Sequence, residues 1–197
     1  MQRTAFYIIN GITLYRIVSA FLLFYLIYAG HPEIFKWLLA VSFFTDLIDG
    51  YLARKFQVTS VAGSFLDSIG DDLTVLAGMA GMYFFKHEFL IEQRYILLTL
   101  LGFFFLQIGA SLIRYKKISS FHTLLAKLAA ILQGSFMILL FLLPEPIYPL
   151  FYAAALVTFL DLVEEIILVF ILREWKINVK GIYWVLKNKK SSLPDSQ

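Results

Sequence analysis

TDLIDGYLARKFQVTSVAGSFLDSIGDD, residues 45–72, governs the reading of the chain, because it sets five carboxylates into a sequence that is otherwise strongly apolar. At about 100° per residue, Asp46, Asp49, Gly50 and Ala53 fall on one face of a helix, with Arg54 at its edge. Gly63, Asp67, Gly70 and Asp71 make a second such face. Four carboxylates converging from two apolar helices repel one another strongly in a low dielectric, and a bound divalent cation removes that objection. Carboxylate oxygens with no Cys or His nearby suit Mg²⁺ or Mn²⁺, not zinc, and the acids suffice for two ions. The glycines and Ala53 leave room for a bulky ligand to approach the backbone, while Arg54 offers a fixed cation for phosphate. The stretch therefore reads as a site for a metal-bound phosphate substrate.

The surroundings of this stretch set the fold class. Of 197 residues, 60% are hydrophobic and 17% aromatic, and the mean hydropathy is +0.77. These values lie outside the soluble range and predict a polytopic all-α membrane protein. Apolar runs at 12–29, 34–53, 62–85, 94–113, 124–144 and 148–172 are each long enough to cross about 30 Å of hydrocarbon, so a six-transmembrane-helix bundle is expected. The breaks between them carry turn formers or polar clusters: Gly30-His31-Pro32, 57–60, 86–93, 115–120 and Pro144-Glu145-Pro146. Residues 1–8 are expected to form a short interfacial helix, residues 1–190 a single membrane domain, and 191–197 a disordered tail. Arg16 interrupts the first run and no small-residue cleavage site follows it, so the first span is expected to be retained. The absence of cysteine excludes disulfides, Cys-based zinc sites and thiol catalysis.

Charge sets the orientation. With the N-terminus inside, fourteen of the 17 Lys and Arg lie on or near the cytoplasmic side, leaving Lys36, Lys86 and Arg94 for the other. The acidic faces then sit at the cytoplasmic ends of the second and third helices of an inner or plasma membrane protein, where soluble nucleotide and metal reach them. The tail from Arg173 to Lys190 interleaves Lys with Trp175, Tyr183 and Trp184 and reads as an amphipathic surface segment attracted to anionic membrane lipid. Beside six spans, no nucleic-acid partner is expected.

The spacing D-x2-D-G-x2-A-R-x8-G-x3-D-x3-D, from Asp46 to Asp71, resembles the signature of the CDP-alcohol phosphotransferases, membrane enzymes that make phospholipid head groups; every fixed position is present. Asn10-x2-Thr13-x2-Arg16 is similar to that family's first-helix pattern. The resemblance implies that Asp46, Asp49 and Asp67 bind metal, while Asp71 shares a metal and acts as general base on an acceptor hydroxyl. It further implies that Gly50, Ala53 and Gly63 admit a CDP-linked lipid, that Arg54 holds its phosphates, and that Ser60 touches the CDP moiety. Asn10 and Thr13 would close the pocket. CMP is the implied leaving group and a homodimer the implied assembly.

The acceptor is less sharply marked. A phosphate-bearing acceptor needs basic residues, and Arg114 and Lys127 are the candidates at the facing ends of the fourth and fifth spans. His122 is read as a loop residue without a role. Glycerol 3-phosphate leads because enzymes using it are widespread in the family and of similar size; serine, inositol phosphate and a second lipid stay open. Asp72 departs from the D-P-x-x-D-K of relatives that look like phosphatidylglycerophosphate synthases, and Asp67-Ser68-Ile69-Gly70-Asp71 is closer to a phosphatidylserine synthase string. Asp161, Glu164 and Glu165 share one side of the last span and are expected to line a polar cavity or to hydrogen-bond other helices. Two other classes compete. An intramembrane prenyltransferase leaves the Gly50, Ala53, Arg54 and Gly63 set without a reason, and a cation carrier requires acids that continue through the bilayer.

Overall fold

A computed structural model describes residues 2–56, 61–117, 121, 123–172, 174–175 and 179–191; within these, side chains are described except at 2–10, 12–13, 46–56, 61–69, 71–72 and 188–191. The described residues form eight helices and no strands: α1 Gln2–Tyr28, α2 Pro32–Phe56, α3 Val61–Phe85, α4 His87–Glu92, α5 Arg94–Tyr115, α6 Leu124–Leu142, α7 Tyr148–Ile171 and α8 Ile182–Ser191. Long helices lie at each of the six apolar runs. By length and composition α5 and α6 are able to cross a membrane, and shorter apolar segments occur at Leu14–Tyr28 and Leu73–Phe85. The 24 residues of α7 include Asp161, Glu164 and Glu165 in its second half.

Three details differ from the expectation. The separate interfacial helix at 1–8 is instead the opening of α1, which runs unbroken for 27 residues. At 1.5 Å per residue that helix is about 40 Å long, so its first turns can extend past a hydrocarbon core of about 30 Å without a break. The connection 86–93 contains the short helix α4, and the basic tail contains α8. Residues 192–197, most of the expected disordered tail, lie outside the described residues.

The chain divides into two compact units, Met1–Glu92 with Met137–Glu145, and Gln93–Phe136 with Pro146–Gln197. In the first unit, α1 packs along α3 and α2. The α1–α2 reversal is a Schellman turn: Gly30 at φ +70 donates its N–H to the Ile27 carbonyl and His31 donates to Leu26, at 3.2 and 3.0 Å. Pro32 then opens α2, where its missing N–H leaves nothing unsatisfied. Phe35, fully buried, is held edge-on by Phe85 and Phe141 at ring separations of 5.3 and 5.1 Å. Gly81 on α3 gives that ring its space, since a Cβ there would collide with it.

In the second unit the side-chain pairings fix the relative directions of the helices. Gln107 meets Glu165, Arg114 meets Leu172, and Tyr115 meets Leu172; each pair is separated by 57 or 58 residues. A constant offset means that α5 and α7 run parallel. Along α6 the partners of α7 descend as the chain ascends: Thr123 with Asp161, Gln133 with Thr158, and Phe136 with Phe151. α6 is therefore antiparallel to α7. A buried cluster of Phe121, Leu168, Val169, Leu172 and Val179 closes one end of this unit, with Ile182 and Val185 of α8 packed against it.

Candidate active site

The acidic stretch folds as two helices. Asp46 and Asp49 sit one turn apart on α2, followed by Gly50, Ala53 and Arg54; Gly63, Asp67 and Asp71 lie on α3. Asn10 and Thr13 are on α1. Ser60 and His122 lie outside the described residues. The three helices that carry these positions pack together in the first unit, α1 against both α2 and α3.

Gly70, between Asp67 and Asp71, is the point where α1 comes close to α3. A Cβ on it would stand 3.5 Å from Arg16 Cβ and 3.9 Å from Arg16 Nε. Arg16 itself is 1% exposed. An arginine enclosed within an apolar bundle needs nearby negative charge or acceptors, so its place opposite Gly70 brings a fixed cation to the level of the signature. From the sequence Arg16 is read as a break in the first apolar run and as the last residue of the Asn10-x2-Thr13-x2-Arg16 pattern.

A run of hydroxyls lies next along the same helices. Ser19 donates to the Arg16 carbonyl at 2.9 Å, Ser42 to Leu38 at 2.9 Å, Thr45 to Ser42 at 2.9 Å and Thr74 to Gly70 at 2.8 Å. These bonds return each hydroxyl to its own helix, which removes the penalty of a polar group among apolar neighbours. Ser19 and Ser42 also meet across the α1–α2 interface at 3.1 Å. Such small hydroxyl residues allow close helix approach, and they tie α1 to the helix that bears Asp46 and Asp49.

The acids of α7 lie in the second unit. Gln107, buried on α5, donates Nε2 to Glu165 Oε2 at 2.6 Å. Glu164 Oε1 accepts the Ile182 N–H at 3.0 Å and so caps the first turn of α8. Gly181, just before that turn, has φ +143, and a Cβ there would lie 2.9 Å from the same Glu164 oxygen; both facts require glycine. Thr123 N-caps α6 by accepting the Ala126 N–H at 3.0 Å, and its hydroxyl donates to Asp161 Oδ1 at 3.1 Å. Each α7 acid thus bonds another element, as the sequence reading expected. Among the described residues no group of three or more His, Cys, Asp or Glu is arranged to hold a metal ion.

The partners Gln107 and Thr123 were not singled out from the sequence. One signal was available: Gln107, Ser111 and Arg114 recur at i, i+4 and i+7 along α5 and form a polar stripe on an apolar helix.

Arg114 and Lys127, the acceptor candidates, belong to the second unit. Nε and Nη2 of Arg114 donate to the Leu172 carbonyl at 3.3 and 3.2 Å, satisfying a carbonyl at the C-terminal end of α7. Tyr115 adds its hydroxyl to the same carbonyl at 2.9 Å. Lys127 is exposed on α6.

Comparison with known proteins bears directly on the signature. A family model described as CDP-alcohol phosphatidyltransferase matches residues 6–171. The chain is 37% identical over 71 residues to a cardiolipin synthase (CMP-forming) / mitochondrial hydrolase fusion protein of Schizosaccharomyces pombe, covering 36% of this chain and 12% of that protein. It is 36% identical over 70 residues to a CDP-diacylglycerol–inositol 3-phosphatidyltransferase of Saccharomyces cerevisiae, covering 36% and 31%. It is 37% identical over 68 residues to a CDP-diacylglycerol–glycerol-3-phosphate 3-phosphatidyltransferase of Haemophilus influenzae, covering 34% and 37%. The match thus spans little more than a third, or less, of the length of these relatives. No solved structure matches the chain.

Proposed function

The chain belongs to the CDP-alcohol phosphatidyltransferase family, and from that premise we propose that it is an integral-membrane transferase of phospholipid synthesis. It moves a phosphatidyl group from CDP-diacylglycerol, or a related CDP-alcohol, to the hydroxyl of a small polar acceptor and releases CMP. The observation that carries this reading is the complete eight-residue signature, from Asp46 to Asp71, borne on two helices packed with α1. Glycerol 3-phosphate is the leading acceptor; relatives named for inositol and for glycerol 3-phosphate match about equally well, so the family alone does not choose between them.

The donor set fits a hard divalent cation. Asp46, Asp49, Asp67 and Asp71 present only carboxylate oxygens, at one-turn spacings on α2 and α3, which suits Mg²⁺ or Mn²⁺, two ions being the expected number. When bound, such ions would neutralise charge developing on the diphosphate. The chain's own residues do the rest. Arg54 would hold phosphate, Gly50, Ala53, Ser60 and Gly63 would accommodate the nucleotide with Asn10 and Thr13 above it, and Asp71 would accept the proton of the acceptor hydroxyl as oxygen attacks phosphorus. Arg114 and Lys127 are proposed to recognise the acceptor's phosphate.

The remaining features follow the same reading: one membrane domain over 1–190, six spans, the site open to the cytoplasm and a homodimer in the plasma or inner membrane. Fourteen basic residues on one side against three on the other support that orientation. The hydrogen bonds that engage Asp161, Glu164 and Glu165 count against an ion path through α7.

Purified protein incubated with CDP-diacylglycerol, Mg²⁺ and a panel of acceptors tests the proposal. CMP release and a new lipid identified by mass spectrometry with one acceptor, both lost in Asp71→Asn, are expected. Absence of CDP-diacylglycerol binding would defeat the signature reading, whereas binding without turnover would exclude the acceptors tried.

A further inference from the structure

α8 has two unlike faces. Ile182 and Val185 are packed against the buried cluster around Phe121 and Leu168. Tyr183, Leu186 and Lys187, at i, i+3 and i+4, face outward, with Tyr183 66% and Leu186 48% exposed, and Trp184 is exposed beside them. At 10 residues the helix is about 15 Å long, too short to cross a bilayer.

The charge around it is one-sided. The ends of α5 and α7 meet where Arg114 and Tyr115 bond the Leu172 carbonyl. The start of α6 joins them where Leu124 donates its N–H to the Lys180 carbonyl at 3.3 Å. This end exposes Arg114, Lys116, Lys117, Lys127, Lys180 and Lys187, and Glu174 is the one exposed acid among the described residues of the second unit. Its other acids, Asp161, Glu164 and Glu165, are turned inward to hydrogen-bond partners. Lys117 Nζ lies 4.8 Å from the centre of the Trp175 ring, an aromatic–cation pair at the same end.

We infer that α8 docks on the surface of an anionic phospholipid bilayer, its Tyr183, Trp184 and Leu186 at headgroup depth and Lys180 and Lys187 on lipid phosphates. Aromatic side chains favour the interface because one end is apolar and the other polar, and lysines at the rim are drawn to negative headgroups. Glu164 and Gly181 fix the angle at which the helix leaves the bundle, so that its apolar side stays on the protein and its aromatic and basic side is free for lipid. The surface does not depend on which acceptor the enzyme uses.

Hydrogen exchange on the full chain tests this, in nanodiscs of phosphatidylcholine alone and of phosphatidylcholine mixed with phosphatidylglycerol. Exchange of the α8 amides is expected to slow on adding the anionic lipid and to recover at high salt. Lys180→Gln and Lys187→Gln should each lower the docked-to-undocked ratio by about five-fold, leaving CMP release intact. As an independent reading, the Trp37→Phe, Trp175→Phe chain keeps Trp184 as its sole tryptophan, and brominated phosphatidylglycerol should quench it more than brominated phosphatidylcholine does. Exchange and quenching indifferent to headgroup charge would overturn the proposal. So would α8 protection that rises with protein concentration in either lipid, which would assign the face to a second copy.

Discussion

The two sets of acids in this chain's apolar helices, Asp46, Asp49, Asp67 and Asp71 on α2 and α3 and Asp161, Glu164 and Glu165 on α7, look alike in a hydropathy profile and differ in their sequence neighbours. The α7 acids each accept a hydrogen bond from a different element: Thr123, the Ile182 amide and Gln107. Each one therefore closes a joint of the second unit. The signature acids stand among small residues in the sequence, Gly50, Ala53, Gly63 and Gly70, and one of these, Gly70, lies against the enclosed Arg16. An acid in an apolar helix is thus not a mark of catalysis by itself. In the proposed function, small neighbours leave room for a ligand beside the signature acids, whereas a dedicated donor from another element gives each α7 acid an architectural role.

Three substitutions bear on that contrast. The largest effect is expected at Asp71→Asn, where loss of the proposed general base should lower turnover by about 10²- to 10⁴-fold while CDP-diacylglycerol still binds. If CMP release were unchanged, the division between the two sets would collapse. Next comes Glu165→Leu, which removes the acceptor of a buried glutamine. It should destabilise the protein by about 1–2 kcal/mol in detergent unfolding, with turnover per folded molecule unchanged, and Glu165→Gln should restore most of the stability. The smallest is Glu164→Gln. Its side-chain oxygen can still accept the Ile182 N–H, and the loss of negative charge at a helix start should cost about 0.3–1 kcal/mol. Abolished turnover in that variant, with fold and nucleotide affinity intact, would place Glu164 with the signature acids instead.

Much of this contrast was legible in the sequence. The signature is local, eight positions within 26 residues, so spacing alone places Asp46 and Asp49 on one helix and Asp67 and Asp71 on the next. The helix ends were legible where the chain carries its own stop signals, as at Gly30-His31-Pro32. The junction between residues 1–8 and the first span was not, because no residue there interrupts the hydrogen-bond ladder and Arg3 among aromatic and aliphatic residues resembled an interfacial segment. That the α7 acids bond other helices could be read from their shared face. Their partners could not, since Gln107 and Glu165 are 58 residues apart and meet only because α5 and α7 run in the same direction.

That shared direction fixes a parity. On the proposed six-span topology, two parallel helices with one antiparallel helix between them enter from one compartment and leave into the other together. On that topology the segments after α5 and after α7 share a compartment, and the segment joining α6 to α7 faces the opposite one. Because the chain has no cysteine, a single thiol placed at any of these three positions would be the only one an impermeant reagent could find, and the sidedness of the whole second unit becomes a matter of which reagents reach it from which side.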